Sequence, residues 1–103
     1  MIRIVADTLS CIPPQEARAL GIAYLPQIVI FGEETYRDDY EITSKEFLSK
    51  LTSTKELPKT SAPSPELYHP IYESAIEQED DLIVILPSQS MSGTFRSATT
   101  AAL

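Results

Sequence analysis

The amino-acid sequence predicts an α/β fold, a mostly parallel sheet flanked by helices. Three observations predict it. Short β-branched apolar runs alternate with segments of helical period along the 103 residues. Two of those runs, Ile2–Ala6 and Leu82–Leu86, carry too few polar residues for half-solvated strands, the pattern of parallel strands covered on both faces. Helix start and stop signals separate them: Pro14 at a first helical position, Gly21 at a left-handed stop, and Ser64-Pro65-Glu66 opening a later helix.

The elements follow in order. Ile2–Ala6 is a buried strand ending at Asp7-Thr8, and Gln15–Leu20 behind Pro14 is a short helix. Tyr24–Phe31 reads as one strand, with Pro26 marking an edge or bulge. Gly32-Glu33-Glu34 turns it into a returning strand at Thr35–Arg37, which makes a hairpin. Thr43 and Glu46 have capping-box spacing, and Phe47, Leu48 and Leu51 give the helix behind them one apolar face. Residues 52–64, rich in Thr, Ser and Pro, read as a loop. The next helix presents Leu67, Ile71 and Ala75, joined by Tyr68 and Tyr72, with Pro70 removing one backbone donor. Leu82–Leu86, apolar on both faces, reads as a central strand. A last helix begins near Ser92 and runs to Leu103 without a polar stop, so it reads as cut off.

Composition excludes several function classes. Eight Lys+Arg against 15 Asp+Glu give a net charge of −7, which opposes a general nucleic-acid footprint. No apolar run approaches bilayer length, and Met1-Ile2-Arg3 does not open a secretory signal. One cysteine, Cys11, allows no internal disulfide and fits a reducing cytoplasm; it reads as a small buried residue. With a single histidine, His69, read as a surface residue, no metal site and no Ser-His-Asp triad is expected. Asp38-Asp39 reads as a solvated turn. Neither a nucleophile elbow nor a glycine-rich nucleotide loop occurs, so a complete enzyme and a nucleotide cofactor are not expected.

Ligands of open α/β sheets collect beyond the carboxyl ends of the strands. Three polar segments fall there: Asp7–Ser10, Thr60–Ser64 and Ser88–Thr94. The last is the strongest candidate, because a helix start offers free backbone N–H groups and partial positive charge. Gly93 admits close approach, Ser92 and Thr94 add hydroxyls, and Thr60 supplies another from the facing loop. Hydroxyl and amide donors without a fixed Lys or Arg suit a carboxylate better than a polyphosphate. Each feature also has a plain structural reading: Ser92 as helix cap, Gly93 as a packing concession, Asp7 as a cap, and 52–64 as solvated linker.

Four segments, in order, resemble the DegV family, the fatty-acid-binding subunits of bacterial fatty acid kinase. They are Asp7-Thr8 with Ile12-Pro13, Leu25-Pro26 with Tyr36-Arg37-Asp38, Pro58–Ser64, and Ser92-Gly93-Thr94-Phe95-Arg96-Ser97-Ala98. The resemblance implies a cytoplasmic carrier that encloses a long-chain fatty acid and presents its carboxylate to a separate kinase. It implies Thr60 and Ser92 as carboxylate ligands, with Ser61, Gly93 and Thr94 in support. Thr8, Cys11, Ala6 and Gln89 depart from the family pattern, and none of them is an implied ligand. The resemblance covers residues 1–103 as one N-terminal lipid-binding domain and only the N-terminal part of the family. A second domain would be absent, uncovered apolar surface would favour self-association, and membrane contact would be transient. Two other readings stay open: a folded fragment with a structural or assembly role, and a small-anion-binding domain.

Overall fold

A computed structural model describes all residues, 1–103. Two three-stranded sheets share the chain. The first is parallel, in the order β2-β1-β6, from β1 (Ile2–Asp7), β2 (Ala23–Leu25) and β6 (Asp81–Val84). The second is antiparallel, in the order β4-β3-β5, from β3 (Ile28–Phe31), β4 (Glu34–Arg37) and β5 (Lys59–Ser61). Four helices accompany them: α1 (Pro14–Ala19), α2 (Ser44–Ser53), α3 (Pro65–Glu77) and α4 (Thr94–Ala101). The predicted parallel sheet with flanking helices is present, and the antiparallel sheet is an addition of equal strand number.

Register explains the core. Val5 of β1 lies opposite Ala23 of β2 and Val84 of β6, while Asp7 lies opposite Leu25. One face of the parallel sheet therefore carries Val5, Ala23, Leu25, Leu82 and Val84, and α3 and α4 cover it with Tyr68, Ile71, Tyr72, Ala98 and Ala101. Arg3 on the same face donates to the Asp80 carboxylate at 2.6 Å and to Ser74 Oγ at 3.1 Å, tying β1 to the end of α3. The opposite face is less covered. Ile2, Ile4, Ile83 and Ile85 are 62%, 38%, 51% and 51% exposed.

Four expectations need correction. Tyr24–Phe31 is not one strand: Pro26 and Gln27 interrupt it, and the chain passes from the parallel sheet into the antiparallel one. Proline lacks the N–H that a continuing ladder requires. Residues 52–64 are not all loop, because Lys59–Ser61 forms β5 against β3, with Thr60 opposite Val29. β6 is not central; it lies at the edge beside β1, so its apolar character reflects one packed face and one open face. Cys11 is not buried: it is exposed and left-handed at φ 58°, closing the short turn Thr8–Ser10.

Other signals hold. Thr43 and Glu46 form a reciprocal capping box at the start of α2. Gly21 and Gly32 occupy left-handed turns at φ 72° and 60°. The apolar face expected of α2 is only partly used, since no α2 residue is buried and Phe47 packs on Phe31 at 5.7 Å. The chain is elongated, with a radius of gyration of 14.8 Å, against about 13 Å for a compact domain of this length.

Candidate functional site

Beyond the carboxyl end of β1, four polar residues lie buried together: Asp7, Thr8, Gln27 and Thr94. Their burial needs partners, and each has one. Asp7 Oδ1 accepts from the Leu9 N–H at 2.9 Å, which makes Asp7 the cap of the short turn Thr8–Ser10. Thr8 Oγ1 accepts from the backbone N–H of Gln27 at 2.9 Å. The Gln27 side-chain amide donates to Asp7 Oδ2 at 3.3 Å and to Thr94 Oγ1 at 2.8 Å. Thr94 Oγ1 lies 2.9 Å from Ser92 Oγ, which also accepts the Thr94 N–H at 3.3 Å.

The chain of contacts runs from the first strand, through the break between the sheets, to the start of the last helix. Asp7 and Thr8 clamp Gln27 by side chain and backbone, and Gln27 holds Thr94. Burial raises the Asp7 carboxyl above its ordinary value, and the bonds from Leu9 and Gln27 oppose that rise. The nearby Tyr68 hydroxyl has no hydrogen-bond partner and is pushed well up, by burial first and by the Asp7 charge second.

The predicted site residues divide into a surface layer and a buried layer. Ser92 is half-buried at the mouth of an open cleft of about 600 Å³, which Gly93, Met91, Phe95 and Arg96 also line. Thr94 is fully buried, so its hydroxyl acts on Ser92 and not on solvent. Gly93 caps α4, and a side-chain carbon there would meet Ala62 Cβ at 4.0 Å. That contact brings the end of β5 against the start of α4. Thr60 and Ser61 are exposed on β5, opposite Val29 and Ile28. His69 is exposed on α3, away from this cleft.

Sequence reasoning missed Gln27 and Arg96. Gln27 had no local signal, because its partner Thr94 is 67 residues away. Arg96 follows Ser92 by four residues, a spacing that places both at one helix start. It makes none of the ion pairs in the structure.

The comparisons with known proteins agree on one family. The model described as "Uncharacterised protein, DegV family" matches residues 1–103. The chain belongs to the DegV family. A DegV domain-containing protein of Halalkalibacterium halodurans is 35% identical over 101 residues, which is 97% of this chain and 36% of the relative. Protein DegV of Bacillus subtilis is 36% identical over 100 residues, with the same coverage of each. This DegV chain thus spans about a third of the length of the curated relatives it matches.

Solved structures carry the same fold. A fatty-acid-binding DegV family protein from Thermus thermophilus superposes with a TM-score of 0.85 at 36% identity, over 98% of this chain and 36% of that one. Bacillus subtilis DegV, a fatty-acid-binding protein, gives 0.85 at 36% identity, over 97% and 36%. A stearic-acid-binding protein from Eubacterium ventriosum gives 0.85 at 31% identity, over 99% and 36%. No helix of this DegV chain is long and apolar enough to cross a membrane.

Proposed function

We propose that this chain is the carboxylate-holding part of a fatty-acid carrier, a binding module and not a catalyst. The observation that carries the reading is the half-buried Ser92 hydroxyl, held from beneath by Thr94 and open to the cleft. In this reading Ser92 and Thr60 donate to the carboxylate of a long-chain fatty acid. Ser61 and Gly93 shape the approach, and Thr94 supports Ser92. The fatty-acid-binding relatives of the same fold support it.

Affinity then divides between two parts of the ligand. Each buried methylene contributes about 0.8 kcal/mol, so the acyl chain supplies most of the binding energy. The carboxylate contacts set its orientation, and Met91 and Phe95 begin the apolar wall beside Ser92. In this reading, as the resemblance to the family implies, the carrier works in the cytoplasm and hands the carboxylate to a separate kinase. The exposed face of Ile2, Ile4, Ile83 and Ile85 also favours self-association.

Native mass spectrometry of the purified chain, followed by lipid extraction, tests the carrier reading. A bound fatty acid that is lost in the Thr60→Ala/Ser92→Ala variant is the expected result. A mass without ligand that persists after incubation with palmitate overturns it. Light scattering across a concentration series tests self-association: a rising mass is expected, and a constant monomer mass excludes it.

A further inference from the structure

The hydroxyl protons of Thr94 and Ser92 are not interchangeable. An ionised Asp7 can only accept, so the Gln27 atom facing it is the amide nitrogen, which also faces Thr94 Oγ1. Gln27 therefore gives one proton to Asp7 and the other to Thr94. Thr94 is fully buried, and once it accepts from Gln27 the remaining side-chain partner for its own proton is Ser92 Oγ. Reversing that bond would leave the Thr94 proton buried without an acceptor, the costlier arrangement. Ser92 already accepts the Thr94 N–H, and its own proton points free of the network.

We propose that Gln27, oriented by Asp7, is a positioning residue that fixes Ser92 as a hydrogen-bond donor toward the cleft, selecting an acceptor head group such as an ionised carboxylate. The head-group part rests on the fatty-acid reading; the direction of the relay does not. The relay runs Asp7 to Gln27 to Thr94 to Ser92: Asp7 accepts from Gln27, Gln27 donates to Thr94, and Thr94 donates to Ser92. Thr8 contributes by holding the Gln27 backbone. Asp7 sets the direction, and polarisation builds only along the part that runs one way, from Gln27 through Thr94 to Ser92.

Changing one atom of Asp7 reverses the relay. In Asp7→Asn the side-chain oxygen keeps the Leu9 bond, and the new NH2 group faces Gln27. The Gln27 amide then turns its oxygen inward and accepts from both Asn and Thr94. Thr94 no longer donates to Ser92, and Ser92 donates back into the protein. Removing the Thr94 hydroxyl frees Ser92 again. A purely structural role of Asp7 would not produce that recovery.

Neutron diffraction of the deuterated chain without ligand decides the relay by itself. The Thr94 deuteron is expected on the line to Ser92 Oγ; a Ser92 deuteron aimed at Thr94 overturns the proposal. Binding of palmitate decides its consequence. Asp7→Asn is expected to weaken palmitate by about tenfold or more, the lower end of the scale of one charge-assisted hydrogen bond. Asp7→Asn/Thr94→Val is expected to regain most of that loss. Unchanged binding in the single variant, or no recovery in the double, overturns the role in head-group selection. A wild-type chain that shows the expected deuteron but binds no palmitate overturns the fatty-acid reading and leaves the relay standing.

Discussion

The two sheets are stabilised by different means, although their strand numbers are equal. The parallel lobe encloses Val5, Tyr68, Ala75 and Ala98 with at most 3% of each exposed, together with the buried polar residues at the end of β1. The antiparallel lobe buries Val29 and Ile42, and leaves Leu48 58% and Leu57 83% exposed. Its contacts lie at the surface. Lys50 pairs with Glu34 at 3.4 Å and lies 5.7 Å from the Phe31 ring centre and 5.4 Å from that of Tyr36. Exposed pairs of this kind contribute little, because water and salt screen them. The difference separates two routes to order: one lobe is held by an apolar core, the other by backbone ladders and caps.

The largest test of that contrast removes one side chain from each lobe. Tyr68→Ala empties the centre of the parallel lobe and is expected to cost about 3–5 kcal/mol, as other buried aromatic truncations do. Leu48→Ala, on exposed α2, is expected to stay within about 0.5 kcal/mol. Urea denaturation of both variants checks the ratio; equal losses would show that the antiparallel lobe has a core of its own. Tyr68→Phe sharpens the reading. Its hydroxyl is buried without a partner, so its removal is expected to leave stability equal or higher.

A smaller effect is expected at the cap of α2. Thr43→Ala removes the acceptor for the Glu46 N–H and the hydroxyl that donates to the Glu46 carboxylate, and keeps the reciprocal backbone bond, at about 1 kcal/mol. With no α2 residue buried, the loss should appear as local fraying. Hydrogen exchange is expected to speed up across residues 44–53 and stay unchanged in β1. Faster exchange in both would mean that the lobes unfold together.

The same contrast explains what was legible in the sequence. Signals that act within a few residues read correctly: Pro14 and Gly21 around α1, Gly32 in the hairpin, and the Thr43–Glu46 box. Periodicity placed Ile71, Ala75, Tyr68 and Tyr72 correctly on the inner face of α3, but it also placed Leu67 there, which is 43% exposed. Decisions made by distant partners did not read. β5 exists because β3 offers it a ladder, and Lys59–Ser61 has no strand signal of its own. The edge position of β6 depends on β1 taking the centre of the sheet, which no feature of Leu82–Leu86 reveals. At the candidate site the surface hydroxyl Ser92 was visible as a motif residue. Gln27 was invisible, because a single Gln after a Pro carries no pattern until the fold brings Thr94 to it.

The smallest effect is also the one whose sign is most informative, and it concerns the polar end of the parallel lobe. Burial raises the Asp7 carboxyl above the ordinary 3.8, while the Leu9 and Gln27 bonds pull the other way, so the net effect is partly cancelled. A raised folded-state value means that the folded chain binds the Asp7 proton more tightly than the unfolded chain does. Its contribution to stability is fully present below the unfolded-state value and is lost as pH rises through the folded-state value. Asp80 acts in the opposite direction, because Arg3 and the chain amino group hold its carboxyl low, so its contribution is lost as pH falls. Comparing wild type with Asp7→Asn cancels the Asp80 contribution and isolates Asp7. The variant is expected to be more stable than wild type at neutral pH, with the gap narrowing as pH falls through the raised Asp7 value. Thermal melts at closely spaced pH values check it. A gap of the reverse sign at neutral pH would mean that the bonds to the ionised carboxylate outweigh its burial, and that Asp7 anchors its lobe by charge.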